Sequence, residues 1–327
     1  QYQISLSFYR DCAGVDAPNT AQVDISSASC GQNLSLTLNR IQGTGIEVSP
    51  ICTQMNTQCS GGQYPGVQEY IYRGIITLPA QCTDWVISFS LCCRNSSIGT
   101  IANPGSENIY VEARLNNLNF TCNNSPTFSN PPIPFVCVGQ PYCFNNGSFD
   151  ADGDSLFYTL VAPFTSATTN VNYIAPYSES QPLTSSPAVS FNTSNGDMCM
   201  TPTQLQVTVF AIVVEEWRNG ILVGSVMRDI QLRTITCTNN NPFVNGINNT
   251  NQYTLTACAG QPINFTISTF DIDATQNVTI NWNNGINGAT FNSTVGARPT
   301  ATFSWTPTSA QISNAPHCFT ITVQDDN

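Results

Sequence analysis

Residues 207–226 read VTVFAIVVEEWRNGILVGSV. Two apolar, β-branched runs flank Asn219-Gly220. A type I′ turn needs a left-handed backbone at both central positions, and Asn-Gly supplies it with little strain, so the segment predicts a β-hairpin. The same period of two runs outward along the chain. Ile4, Leu6 and Phe8 alternate with polar residues, as do Leu34, Leu36 and Leu38, and Trp85, Ile87, Phe89 and Leu91. Each run reads as a strand with one face on a core. No long amphipathic helix interrupts them. With 20 prolines and 21 glycines punctuating short strands, β-sandwiches are the expected architecture.

An internal repeat organises the second and third parts of the chain. Cys137-Val-Gly-Gln-Pro141 matches Cys258-Ala-Gly-Gln-Pro262, and Asp150-Ala-Asp152 matches Asp271-Ile-Asp273. Met200-Thr-Pro-Thr203 matches Trp305-Thr-Pro-Thr308, and Phe210–Val214 matches Phe319–Val323. Cys122-Asn-Asn-Ser-Pro126 and Cys237-Thr-Asn-Asn-Asn-Pro242 are short polar linkers ending in proline. Three domains are expected: a Cys-rich β domain over 1–123, a β-sandwich over 124–239 and a second over 240–327.

Composition narrows the function. Charged residues are 9% of the chain, against roughly 25% in an average globular protein. Asn, Thr, Ser and Gln supply the polarity instead, which suits a secreted β-protein. All nine cations are arginine, so no lysine can form a Lys–Asn isopeptide crosslink. A net charge of −11 argues against nucleic acid as a partner. No run approaches the roughly 18 apolar residues of a membrane span, so direct membrane insertion is not expected. The chain starts at Gln1 without a signal peptide, which fits a processed or excised segment.

The 14 cysteines with one histidine read as disulfides formed in an oxidising compartment, because zinc would want CxxC pairs or Cys with His. Within 240–327 only Cys258 and Cys318 occur, so they are the expected pair there. Cys52 with Cys59 would close a small loop. Cys92-Cys93, placed on a strand, would face opposite sides and bond different partners.

The candidate cation site is Asp150-Ala-Asp152-Gly-Asp154. Carboxylates at alternate positions around a glycine turn can converge on a hard cation such as calcium. Glycine stands fourth and Val161 twelfth, so this is not an EF-hand. Glu216 aligns with Asp325 at the end of the matching strand and joins each set. The third domain keeps Asp271 and Asp273 but lacks the glycine. A plain polar turn explains the same residues. No organic cofactor is indicated. Nucleophilic catalysis could use only His317, and no enzyme activity is expected. Trp217 near the hairpin tip and Trp282 among asparagines are candidate sugar-stacking residues, against the alternative that both are core.

Phe8-Tyr-Arg-Asp-Cys12, Leu91-Cys-Cys-Arg-Asn95, Asn108–Ala113 and Asp150–Leu156, in that order, resemble the large gliding-motility-associated, adhesin-like surface proteins of Bacteroidota. The resemblance covers most of residues 1–240. It implies tandem immunoglobulin-like or cadherin-like domains exported by type IX secretion. Residues 303–308 and 323–326 resemble the broader cadherin-like or PKD-like group. Asp154-Ser155-Leu156 is similar to the O-glycosylation motif of these bacteria, which implies a glycan on Ser155. The expected function is a structural or adhesive segment of an extracellular, cell-surface stalk, fibre or filament. Its partners would be other copies of itself, other surface proteins or glycans. The alternative is a carbohydrate-binding module array of a secreted enzyme.

Overall fold

A computed structural model describes residues 1–49, 56–132, 135–313 and 316–326. Among the described residues the chain is all-β, with strands joined by loops and four single 3-10 turns. None of its helical turns is long and apolar enough to cross a membrane.

The first seven strands are β1 (Tyr2–Asp11), β2 (Thr20–Ser27), β3 (Gln32–Arg40), β4 (Ile46–Glu47), β5 (Val67–Ile76), β6 (Trp85–Leu91) and β7 (Ile109–Leu115). Strict alternation along β2 turns Ala21, Val23 and Ile25 inward onto Leu38, Tyr72, Trp85 and Phe89, which form the core of this N-terminal unit. Strand period two has put one residue in two on this face.

The next eleven are β8 (Thr127–Phe128), β9 (Phe135–Cys137), β10 (Tyr142–Phe144), β11 (Ser148–Phe149), β12 (Ser155–Val161), β13 (Phe164–Ser166), β14 (Thr169–Asn170), β15 (Ser190–Phe191), β16 (Met198–Met200), β17 (Val207–Arg218) and β18 (Ile221–Ile235). The hairpin β17–β18 is the spine of this middle unit. Asn219 and Gly220 sit at φ 53° and 77°, as the turn requires. Asn219→Ala is expected to cost about 1 kcal/mol, the penalty of a Cβ without a compensating side-chain bond in left-handed backbone; urea titration measures it. Phe210, Ile212 and Val214 point into the core with Ile230 and Leu232, all fully buried or nearly so. The opposite face of β17 is also covered. Val209 packs on Ile98, Ile101 and Val171, where the loop after β6 crosses it. Burial on both faces explains why β17 reads as a continuous apolar run rather than an alternating one.

The last six are β19 (Phe243–Val244), β20 (Ile263–Phe270), β21 (Val278–Trp282), β22 (Thr290–Ser293), β23 (Thr300–Trp305) and β24 (Ile321–Asp325). Sheets β19-β20-β23-β22 and β21-β24 enclose Phe265, Ile267, Ile280, Ala301 and Phe303, a core separate from the other two.

The N-terminal and middle units share one sheet. Its order is β1-β5-β3-β2-β6-β7-β18-β17-β12, with β7 pairing β18 at Leu115↔Gly224 and Ala113↔Val226. Arg94, just after β6, adds a buried ion pair to Asp229 on β18. No such ladder joins the middle unit to the C-terminal one among the described residues; the polar linker after β18 does so.

Among the described residues there are five disulfides: Cys12–Cys59, Cys30–Cys82, Cys92–Cys93, Cys137–Cys237 and Cys143–Cys199. Three expectations are corrected. Cys59 bonds Cys12, where β1 ends beside the loop before β5, and not Cys52, which lies outside the described residues. Cys92 and Cys93 bond each other, because β6 ends at Leu91 and strand alternation no longer governs them. Cys258 and Cys318 are both free and exposed. Cys137, the repeat counterpart of Cys258, shows why: its partner Cys237 lies beyond β18, one strand further on than the strand that Cys318 precedes.

Candidate metal centre

Chain alternation builds the centre of the middle unit. Phe210, Ile212, Val214 and Glu216 occupy one face of β17, so Glu216 is carried into the interior with its apolar neighbours and is fully buried. The turn between β11 and β12 comes to meet it. Gly153, at φ 82°, lets this turn fold back so that Asp150 Oδ1 accepts the N–H groups of Asp152 (3.0 Å) and Asp154 (2.9 Å). One carboxylate oxygen from each of Asp150, Asp154 and Glu216 then lies within 4.8 Å of the others.

Two of these carboxylates are incompletely paired. Asp150 Oδ2 and Glu216 Oε1 are buried without a hydrogen-bond partner. A buried acceptor without a donor costs about 1–3 kcal/mol, and more if charged. Burial accordingly pushes Glu216 up to about 7 and raises Asp150 as well, with the neighbouring aspartates adding to both. Asp154 is paired: Arg218 Nε and Nη2 donate to its two oxygens at 2.6 and 2.7 Å. Asp154 in turn holds Arg218 protonated above its usual range. Three ionised carboxylates against this single guanidinium would leave the cluster negative.

Asp152 departs from the expected ligand set. It turns toward the linker, accepting Asn124 N at 2.5 Å and Asn124 Nδ2 at 3.1 Å. Asn123 Nδ2 donates to Glu216 Oε2 at 2.5 Å, and Arg218 Nη2 donates to Asn123 Oδ1 at 2.9 Å. The preceding linker is thereby strapped onto the acidic cluster. Asp152→Asn is expected to weaken the linker's attachment locally by about 1 kcal/mol, since a hydrogen bond to a charged acceptor is worth roughly 1.5–3 and the amide keeps part of it. Faster proteolysis at residues 122–126 with little change in global stability would mark this strap.

The C-terminal unit repeats the arrangement. Asp271 Oδ1 accepts the Asp273 N–H at 2.9 Å, and its Oδ2 is buried without a partner. Asp273 accepts Asn240 N at 2.9 Å and Asn240 Nδ2 at 3.2 Å. Asn239 Nδ2 donates to Asp325 Oδ2 at 2.8 Å. Gln276, whose Nε2 donates to Asn239 Oδ1, brings a neutral buried oxygen that lacks a donor. Arg298 here serves backbone carbonyls, those of Asp271, Asp273 and Gln276, instead of a carboxylate.

Sequence reading singled out the acids and missed Asn123, Asn124, Asn239, Asn240, Arg218 and Gln276. The doubled Asn-Asn in both linkers was the available signal. Arg218 and Gln276 left none, because their neighbours are set by the fold. The sugar-stacking candidates are also placed. Trp282 is packed among Phe291, Phe303 and Phe319, with centroids 5.5–6.1 Å away, and is a core residue. Trp217 is half-buried and donates Nε1–H to Glu215. Ser155 is exposed at the start of β12, opposite Trp217.

Oxygen donors with uncompensated buried charge are the chemistry that calcium takes, at six to eight ligands. The donor set fits it. Asp150, Asp154 and Glu216 would hold a cation in the middle unit; among the described residues no matching carboxylate cluster forms in the C-terminal unit.

No protein-family model and no curated protein matches the sequence. Among solved structures it is similar to a complex of Dpr2 Ig1-Ig2 with DIP-Theta Ig1-Ig3, at 11% identity and a TM-score of 0.21, over 57% of this chain and 88% of that one. Titin domains I67-I69 align at 9% identity and 0.19, over 99% and 88%. Protocadherin Gamma B7 cadherin domains 1-4 align at 11% and 0.22, over 95% and 72%. These are likenesses to immunoglobulin and cadherin β-structures and carry no functional argument.

Proposed function

We propose that the chain is a structural or adhesive segment of an extracellular bacterial surface protein, part of a stalk, fibre or filament. One observation carries this reading: both linkers are strapped in the same way, Asn123-Asn124 onto Asp152 and Glu216, and Asn239-Asn240 onto Asp273 and Asp325. A linker that only joins two domains needs no such bonds. A linker that fixes their spacing does, and repeating the device along a chain builds reach. Calcium held by Asp150, Asp154 and Glu216 would neutralise these acids and stiffen the strap that Asn123 makes to Glu216. Disulfides fit an oxidising, extracellular setting. The resemblance to gliding-motility-associated surface proteins adds type IX export and a place on the cell surface to this proposal. The partners would be further copies of the protein or other surface proteins.

Electron microscopy of native material tests it. Thin regular fibres, or stalks on the cell surface, are expected, with disorder appearing on chelation. Dispersed particles retained on an insoluble glycan would overturn the reading in favour of a binding module.

A further inference from the structure

The C-terminal unit is one strand short of its repeat. In the middle unit β17 lies between β12 and β18, and β18 also carries β9 in parallel through Arg233↔Phe135 and Ile235↔Cys137. In the C-terminal unit β24 pairs with β21, its counterpart of β12, and among the described residues no strand covers its other edge. Residues 252–258, the counterpart of the chain leading into and through β9, form no strand either.

Burial records the same gap. Phe210, Ile212 and Val214 are 0% exposed, whereas their counterparts Phe319, Ile321 and Val323 are only half-buried. Val136 on β9 is 3% exposed, while Tyr253 and Leu255 stand out at 69% and 57%. Cys137 is bonded to Cys237, two residues past the end of β18, and its counterpart Cys258 is a free, exposed thiol. Edge, core and thiol lack the same element.

We propose that the C-terminal unit takes one further β-strand, antiparallel to β24 and parallel to residues 256–258, whose cysteine bonds Cys258. The occupant is a counterpart of β18: an extended segment, apolar at alternate positions. It carries its cysteine two residues past the last laddered position. Ladder bonds supply its affinity and the half-covered core its register. The covalent step is thiol–disulfide exchange with a small-molecule disulfide. The thiolate of one cysteine displaces a thiolate from the mixed disulfide of the other, and the displaced thiolate takes up the released proton.

The probe is a peptide of this chain's residues 224–238, in which Val226 and Ile230 oppose Val214 and Phe210 in the parent hairpin. Its cysteine is activated as the mixed disulfide with 2-nitro-5-thiobenzoate, and it is added to the whole chain. Cys258 is expected to couple at least about tenfold faster than Cys122 or Cys318, because strand docking raises its local concentration. The peptide with Ile230→Pro, unable to complete the ladder, should couple at the slow rate. A Cys258→Ser chain with an S-methylated peptide should still show slowed amide exchange over residues 253–258 and 321–325. Equal coupling at all three cysteines, or undiminished coupling of the proline peptide, would overturn the proposal. So would a dimer closed edge to edge through β24 that refuses the peptide.

Discussion

Metal-free protein titrated with calcium at neutral pH is expected to gain about 2.7 kcal/mol once the free cation exceeds its dissociation constant a hundredfold. The gain should depend on Glu216. Its folded-state pKa is pushed from the usual 4.5 to about 7 by burial, with Asp150 the leading unfavourable charge. A group whose pKa is raised by folding stabilises the native state below its unfolded value and loses that stability as pH rises through the folded value. Stability of the metal-free protein should therefore fall between about pH 4.5 and pH 7, by up to about 3 kcal/mol at 1.36 kcal/mol per unit. Asp150, raised in the same direction, adds to the slope. Calcium should flatten it, since the cation replaces the proton as the compensating charge. Glu216→Gln removes the titration and part of the ligand set together. It should leave the metal-free protein at pH 8 at least as stable as the parent and unresponsive to calcium. Urea titrations with calcium and with chelator, across this pH range, decide the matter. Coincident curves at every pH would remove the metal from the proposed function.

Arg94→Ala should be the most damaging single change at the junction of the N-terminal and middle units, with a loss of about 3–5 kcal/mol. Arg94 is 4% exposed and donates Nη1 and Nη2 to the two oxygens of Asp229, at 3.0 and 2.6 Å, and Nη2 also to the Phe164 carbonyl at 3.0 Å. Burial raises the Asp229 pKa even with the guanidinium in place. Removing the arginine strands a carboxylate where water cannot reach it. The whole loss is not the worth of the ion pair, because desolvating both charges has already cost much of their attraction. The double change Arg94→Met with Asp229→Leu should therefore recover most of the stability. A single mutant within 1 kcal/mol of the parent in urea would show the pair to be solvated and the junction looser than the shared sheet implies.

The two junctions thus differ in kind. Between the N-terminal and middle units lie a β7–β18 ladder, the Arg94–Asp229 pair and the apolar cluster around Ile101 and Val209. Between the middle and C-terminal units, polar contacts predominate, with Gln140 bonded to Asn239 O and Asn241 N. Mechanical or proteolytic failure is expected at the second junction first, where water can replace what is lost.

The all-β class, the β17–β18 hairpin and the repeat were determined by the sequence itself, because each rests on local chemistry. Period two, an Asn-Gly turn and matched blocks need no knowledge of distant neighbours. The acids at 150 and 154 were legible from their spacing in a turn, and Glu216 from its repeat match to Asp325. Pairings across the chain were not. Cys59 met Cys12 and not Cys52 because β1 and the loop before β5 are neighbours only in the folded sheet. Trp282 went to the core because three phenylalanines from different strands converge on it. Asp152 left the cluster for Asn124 because the linker folds back over the turn. Arg218 reached Asp154 across the β12–β17 pair. Sequence spacing carries strand alternation and turn geometry, whereas disulfide partners, buried charges and straps depend on which strands lie side by side, and tertiary packing alone decides that.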